Sequence, residues 1–195
     1  MNLQLLLGTL ALVFLTSFSA SSQSTVYAVA PSSGDFDIID TTTMTVSSST
    51  TMTSTTGTVN GANGLTSDEC GILYIVYQVS GTRYLGIIDP TTAVITEIGS
   101  LADNVSNIAY VNGLLLGVTG DGASTPETLY EINIATAAMT LIIPLGNGND
   151  GESIAFNPDD GLLYHWSGWG TANVIMETIN PATFTISPVT LSGDP

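Results

Sequence analysis

One phrase recurs four times along this chain. It reads Ile39-Asp40-Thr41-Thr42-Thr43, then Ile88-Asp89-Pro90-Thr91-Thr92, Ile132-Asn133-Ile134-Ala135-Thr136 and Ile179-Asn180-Pro181-Ala182-Thr183. The acid or amide stands at 40, 89, 133 and 180, so the steps are 49, 44 and 47 residues. Self-similarity at such a period marks a repeat architecture, in which each unit is one supersecondary block stacked on the next. The phrase also has a local job. Asp or Asn opens a turn by bonding its own backbone two residues on. Pro90 and Pro181 preset the next dihedral, and Thr favours re-entry into a strand.

The sequence around the phrase completes the unit. In the third copy, Asn107-Ile108-Ala109-Tyr110-Val111 reads as a strand, Asn112-Gly113 as a tight hairpin turn, and Leu114-Leu115-Leu116-Gly117-Val118 as a second strand. Leu129-Tyr130-Glu131-Ile132 and Ala138-Met139-Thr140-Leu141-Ile142-Ile143 read as the third and fourth. The glycines at 71, 113 and 161 mark the same plan in the neighbouring units, with steps of 42 and 48. Four short strands per unit without helical periodicity predict an all-β β-propeller of about four blades of four antiparallel strands. Units at about 26–62, 63–106, 107–152 and 153–195 follow from the two rulers. The first opens at Val26-Tyr27-Ala28-Val29, which matches a second strand, so the units hold 3, 4, 4 and 4 strands, fifteen in all. A set that stops short of closure is expected to be a fragment of a larger propeller, an open arc, or a subunit that self-associates through its open edge.

Composition narrows the function classes. There are 17 Asp and Glu against one Lys or Arg, for a net charge of −16. That field repels phosphate backbones and anionic lipid surfaces, so neither nucleic acid nor membrane is an expected partner. Charged residues make up 9% of the chain, against roughly 25% for an average domain. The polar surface must come from Thr, Ser, Asn and Gly, which suits an extracellular β-protein. Leu5 to Leu15 is an apolar run of signal-peptide length followed by small residues, so residues 1–22 read as a secretory signal and 23–195 as the repeats. The expected location is secreted, extracellular or cell-surface, with the periplasm as the alternative. The single cysteine, Cys70, excludes an intramolecular disulfide. It is expected to be small and buried, or turn-adjacent.

The units resemble secreted bacterial β-propeller repeat proteins with a Gly-Ile-Ala-Phe-x-Pro-x-x-Gly-x-Leu-Tyr strand pair followed by Leu-Tyr-x-Ile-Asp-Pro-x-Thr. The best local match is Glu152-Ser153-Ile154-Ala155-Phe156-Asn157-Pro158-Asp159-Asp160-Gly161-Leu162-Leu163-Tyr164, and the resemblance spans residues 26 to 193. It implies blade architecture and an exported or surface protein, and it implies no reaction.

The strand plan sorts the loops. Those joining second to third strands, and those joining blades, share one face and are long; the opposite face carries short turns. Function usually rides on long loops over a rigid scaffold. On that face lies His165-Trp166-Ser167-Gly168-Trp169-Gly170, with the only histidine and both tryptophans. His165, Trp166 and Trp169, with Arg83 and Asp121 on neighbouring loops, are the candidate ligand-binding residues; exposed aromatics would suit a sugar or a protein partner. Against that stands packing of Trp166 between blades, with His165 held structurally. Asn149, Asp150 and Glu152 gather hard oxygen donors that suit Ca²⁺, the one cofactor the chain suggests, or simply form a solvated turn. No catalytic constellation is singled out: one His and one Arg leave little for acid–base or phosphate chemistry. The expected function is a non-enzymatic binding or surface-interaction module that takes a protein or glycan on the long-loop face. The alternatives are a carbohydrate-binding or carbohydrate-active propeller, and a structural subunit assembling through its open edge.

Overall fold

Short runs of β-branched and aromatic residues bounded by turn residues fold as strands. In the computed structural model, which describes residues 25–145, 152–168 and 174–190, every regular element is one. The first sheet holds β1 (Thr25–Ala30), β2 (Ser33–Asp40) and β3 (Thr45–Thr51). The second holds β4 (Thr53–Ser54), β5 (Gly61–Ser67), β6 (Leu73–Val79), β7 (Thr82–Ile88) and β8 (Val94–Ser100). The third holds β9 (Val105–Val111), β10 (Leu114–Thr119), β11 (Thr128–Ile132) and β12 (Met139–Pro144). The fourth holds β13 (Ser153–Asn157), β14 (Leu162–Ser167), β15 (Ile175–Ile179) and β16 (Ile186–Pro188). Apart from β4, each sheet is an antiparallel meander in chain order. The protein is a four-bladed β-propeller. Among the described residues no helix is long and apolar enough to cross a membrane.

The sixteenth strand, β4, is the addition to the sequence plan. Its two residues pair in parallel with the outer strand of the next blade, Thr53 with Val94 and Ser54 with Ile95. The connector leaving blade 1 thus covers an outer edge that would otherwise be open.

The recurring phrase forms the same turn four times. Asp40, Asp89, Asn133 and Asn180 each accept, through Oδ1, the amide two residues on, at 2.7, 2.7, 2.9 and 2.9 Å. Each backbone carbonyl accepts the amide four residues on, from Met44, Ala93, Ala137 and Phe184, at 2.7–2.8 Å. Those four residues are left-handed, with φ between 54° and 60°, although none is glycine. The doubly bonded turn holds them there against a steric cost of about 1–2 kcal/mol each. The expected tight hairpin is also present: Val111 pairs with Leu114, and Asn112 and Gly113 have φ of 50° and 89°. Cys70 is exposed, in the turn that Asp68 caps.

Side-chain alternation decides the packing. On β6, Leu73, Ile75, Tyr77 and Val79 join a core with Phe36, Met52 and Ile95, between blades 1 and 2. Tyr74 and Val76 of the same strand join Val105, Ile108, Leu115 and Ile132, between blades 2 and 3. On β10, Leu116 and Val118 reach Ile154, Leu163 and Ile179, between blades 3 and 4. A strand buried on both faces reads as a continuous apolar run, as Leu73-Tyr74-Ile75-Val76-Tyr77 does.

The inner strands pack in chain order, β1 on β5, β5 on β9 and β9 on β13, and among the described residues β13 and β1 show no comparable packing. Three cores therefore join four blades. Glycine lets the inner strands converge: a Cβ on Gly64 would lie 2.9 Å from the Ile108 backbone nitrogen, and one on Gly61 would lie 2.1 Å from the Pro31 carbonyl oxygen.

Candidate functional site

Not every second-to-third-strand connection is long as expected: β1–β2 and β6–β7 are tight turns of two residues, Pro31-Ser32 and Ser80-Gly81, whereas the β10–β11 loop is long. The β6–β7 hairpin, the connector from β8 to β9 and the β10–β11 loop converge on a rim cleft of about 450 Å³. Gln78, Thr82, Arg83, Asp103 and Asn104 supply its polar side chains. Arg83 is the only Lys or Arg in the chain. It is half-buried, and its Nη1 donates to the Val105 carbonyl, which orients the guanidinium. Burial pulls its pKa below the ordinary value, yet an arginine remains charged at neutral pH.

The wall opposite is fixed by Asp103. Its Oδ1 accepts the Asn104 and Ser124 amides, both at 2.8 Å, and its Oδ2 accepts the Thr125 amide at 3.1 Å. The Asn104 carbonyl accepts the Gly120 amide at 3.0 Å. Thr119, fully buried, donates to the Thr125 carbonyl at 2.6 Å. The β10–β11 loop is thereby laced to the connector, and the cleft is built before any ligand arrives. A second cavity, about 430 Å³, opens along the inner strands between Leu65, Asn107, Tyr110 and Phe156.

His165 lies elsewhere. It is fully buried on β14. Its Nδ1 stands 3.0 Å from Glu177 Oε1 and its Nε2 2.5 Å from Glu152 Oε2, while Ser167 Oγ donates to Glu152 Oε1 at 2.7 Å. Burial disfavours the charged imidazole, but the bonds and charges of Glu152 and Glu177 outweigh it and raise the pKa. The geometry agrees, because two carboxylates need two ring N–H donors and a neutral imidazole has one. Glu152 also lies close to Asp121 and Glu127, with one carboxylate oxygen from each of the three within 4.8 Å of the others.

Of the sequence candidates, Arg83 lines the cleft, and Asp121 stands beside Glu152 but outside the cleft lining. His165 and Trp166 are consecutive on β14 and so point to opposite faces. Trp166 is 47% exposed, paired across the sheet with Ser153 and Met176. Trp169, Asn149 and Asp150 lie outside the described residues. Both oxygens of Glu152, the remaining Ca²⁺ candidate, are engaged by His165 and Ser167. Sequence reasoning missed Gln78, Asp103 and Asn104 in the cleft, although all three lie in or beside the long loops it had grouped on one face. It also missed Glu177, whose partnership with His165 depends on strand register.

No family model and no curated protein matches the chain. Solved structures do. A chain of the nidogen/laminin complex superposes with a TM-score of 0.56 at 14% identity, over 85% of this chain and 61% of that one. Kuenenia stuttgartiensis hydrazine synthase superposes with a TM-score of 0.51 at 14% identity, over 80% of this chain and 43% of that one. This chain thus spans less than two thirds of either. At this identity the likeness concerns the propeller fold alone.

Proposed function

We propose that the protein is an exported binding module of the secreted bacterial propeller-repeat kind, and that its long-loop rim holds a neutral, polyhydroxylated ligand such as a surface glycan. One observation carries this reading: the rim cleft, in which the chain's single arginine stands beside Gln78, Thr82 and Asn104 in a wall pre-built by Asp103. Amide and hydroxyl groups around one oriented cation suit vicinal sugar hydroxyls, each of which donates and accepts. A net charge of −16 disfavours polyanions. The volume falls in the usual range for small-ligand pockets. The supporting features are loop length, lining chemistry and pre-organisation; the apolar signal-like segment at residues 1–22 supports export.

The test is a panel of neutral saccharides presented to the wild-type protein and to Gln78→Ala and Asn104→Ala. Retention by the wild type and at least a tenfold loss in both variants, with unchanged melting, is the expected result. Failure to retain any neutral saccharide overturns the reading.

A further inference from the structure

The second cavity, about 430 Å³, is built from the inner strands β5, β9 and β13 of three consecutive blades. Strand register sorts its walls into layers. Ser67, Tyr110 and Phe156 stand opposite Leu73, Leu115 and Leu163, each two residues after a ruler glycine, so they hold one position in blades 2, 3 and 4. The next layer is Thr66, Ala109 and Ala155, whose short side chains leave room. One layer further in, Ile108 and Ile154, both buried, close an aliphatic floor. The Tyr110 amide donates to Thr66 Oγ1 at 3.1 Å, which ties blade 3 to blade 2 beside the cavity. The Tyr110 ring stacks on Tyr74 with centroids 6.0 Å apart, which fixes its orientation.

The charge around this cup has one sign. Tyr110 and Phe156 lie near the strand ends that lead into the short hairpin turns, and the turns of blades 2 and 4 carry Asp68, Glu69, Asp159 and Asp160. Partial burial, and then the charges of Glu69 and Asp68, push the Tyr110 phenol above its ordinary pKa, so the field of these acids reaches the cavity wall. Neither of the chain's two basic side chains offsets it. Arg83 is held at the other end of β9, on the Val105 carbonyl, and His165 is enclosed by Glu152 and Glu177.

We infer that this cavity binds a small organic cation whose nitrogen carries alkyl groups, of the quaternary ammonium kind. Charge complementarity selects the occupant. An aromatic ring attracts a cation through its quadrupole, and Tyr110 and Phe156 bring two rings to a cavity bordered by carboxylates. A metal ion would need several oxygen ligands at short range, which alanine, isoleucine and phenylalanine side chains do not supply. A primary ammonium would lose its hydrogen bonds to water on entering an aliphatic cup. N-alkyl groups have none to lose and bury apolar area on the floor instead. The net charge of −16 concentrates cations at the surface before docking. The site lies toward the short-turn face, apart from the rim cleft, and is independent of what that cleft binds.

Calorimetric titration of the full chain with choline, and with its uncharged isostere 3,3-dimethylbutan-1-ol, tests this. Saturable one-site binding of choline is expected, with the neutral alcohol at least about tenfold weaker. Raising NaCl from 0.15 M to 1 M should weaken choline binding severalfold, because salt screens the acidic turns. Tyr110→Leu and Phe156→Leu should each weaken it about fivefold or more, with unchanged far-ultraviolet circular dichroism. Glu69→Gln, at an exposed turn position, should weaken it about twofold or more, and it reads the charge even where a leucine variant fails to fold. Absence of choline binding, equal affinity for the alcohol, or wild-type affinity in Glu69→Gln or in either folded leucine variant overturns the inference.

Discussion

His165 and Glu177 stand opposite each other on adjacent strands, ring nitrogen to carboxylate oxygen at 3.0 Å, in a layer where blade 2 places Ile75. The equivalence comes from the glycine ruler, four residues after Gly161 and Gly71. Blade 4 thus replaces an aliphatic contact with an imidazole held between two glutamates. Such a pair is costly to break, because removing one partner leaves the others buried and uncompensated. His165→Gln is expected to lower unfolding free energy by about 3–5 kcal/mol, measured by urea titration at pH 6.

The pH dependence of that network has a definite sign. The folded pKa of His165 is raised above its ordinary 6.5. Its stabilisation is therefore fully present below about pH 6.5, the unfolded value, and is lost as pH rises through the folded pKa. Melting temperature should fall across that window in the wild type and stay flatter in His165→Gln. The chain has a single histidine, so one imidazole resonance reports the folded pKa directly; a value at or below 6.5 contradicts the network.

Met44 is the one left-handed phrase residue with a freely exposed side chain, 79% accessible, at φ 56°. Glycine adopts that conformation at no steric cost, though it adds freedom to the unfolded chain. Met44→Gly should stabilise the fold by about 0.5–1 kcal/mol. Ala93 and Ala137, left-handed too but buried, should gain less because glycine forfeits their methyl packing. Paired denaturant curves for the three variants check the order.

Gly64 admits no side chain. Its missing Cβ would meet the backbone nitrogen of Ile108 at 2.9 Å, and backbone cannot turn aside as a rotamer can. Gly64→Val should force β5 and β9 apart and cost about 1–3 kcal/mol. A matched change at Gly113 is no control for packing, since its φ of 89° imposes strain in open space. The readout is loss of the denaturation midpoint together with faster amide exchange in β9.

Asp103 holds three amides across the wall of the cleft. Asp103→Ala should free Ser124 and Thr125 first. The expected result is strongly accelerated hydrogen exchange at those two amides and a stability loss of about 1–3 kcal/mol, typical of bonds to a charged group. Unchanged exchange there would show that other bonds hold the loop.

Much of this architecture can be read from local chemistry. The Asp-Pro-Thr-Thr and Asn-Ile-Ala-Thr phrases each act within five residues, and Asn112-Gly113 acts within two, so neither needs the rest of the molecule to be understood. β4 could not be read that way: two residues carry no periodicity, and the parallel partner lies about forty positions on. The site divides along the same line. Grouping the long loops on one face located the neighbourhood of the cleft, but Asp103 reaches Ser124 and Arg83 reaches Val105 across loops whose spacing no pattern encodes. His165 and Trp166 looked like one feature because they are adjacent in sequence. Strand alternation separates them, and the glutamates that hold the histidine come from 13 and 12 residues away.

Three shared cores among four blades make position a determinant of tolerance. A side-chain change on a strand with both faces buried unsettles two cores at once: on β6, Ile75 belongs to one core and Val76 to the next. Stability in blades 2 and 3 is therefore held in common with the neighbours, and a defect in either is felt beyond its own sheet.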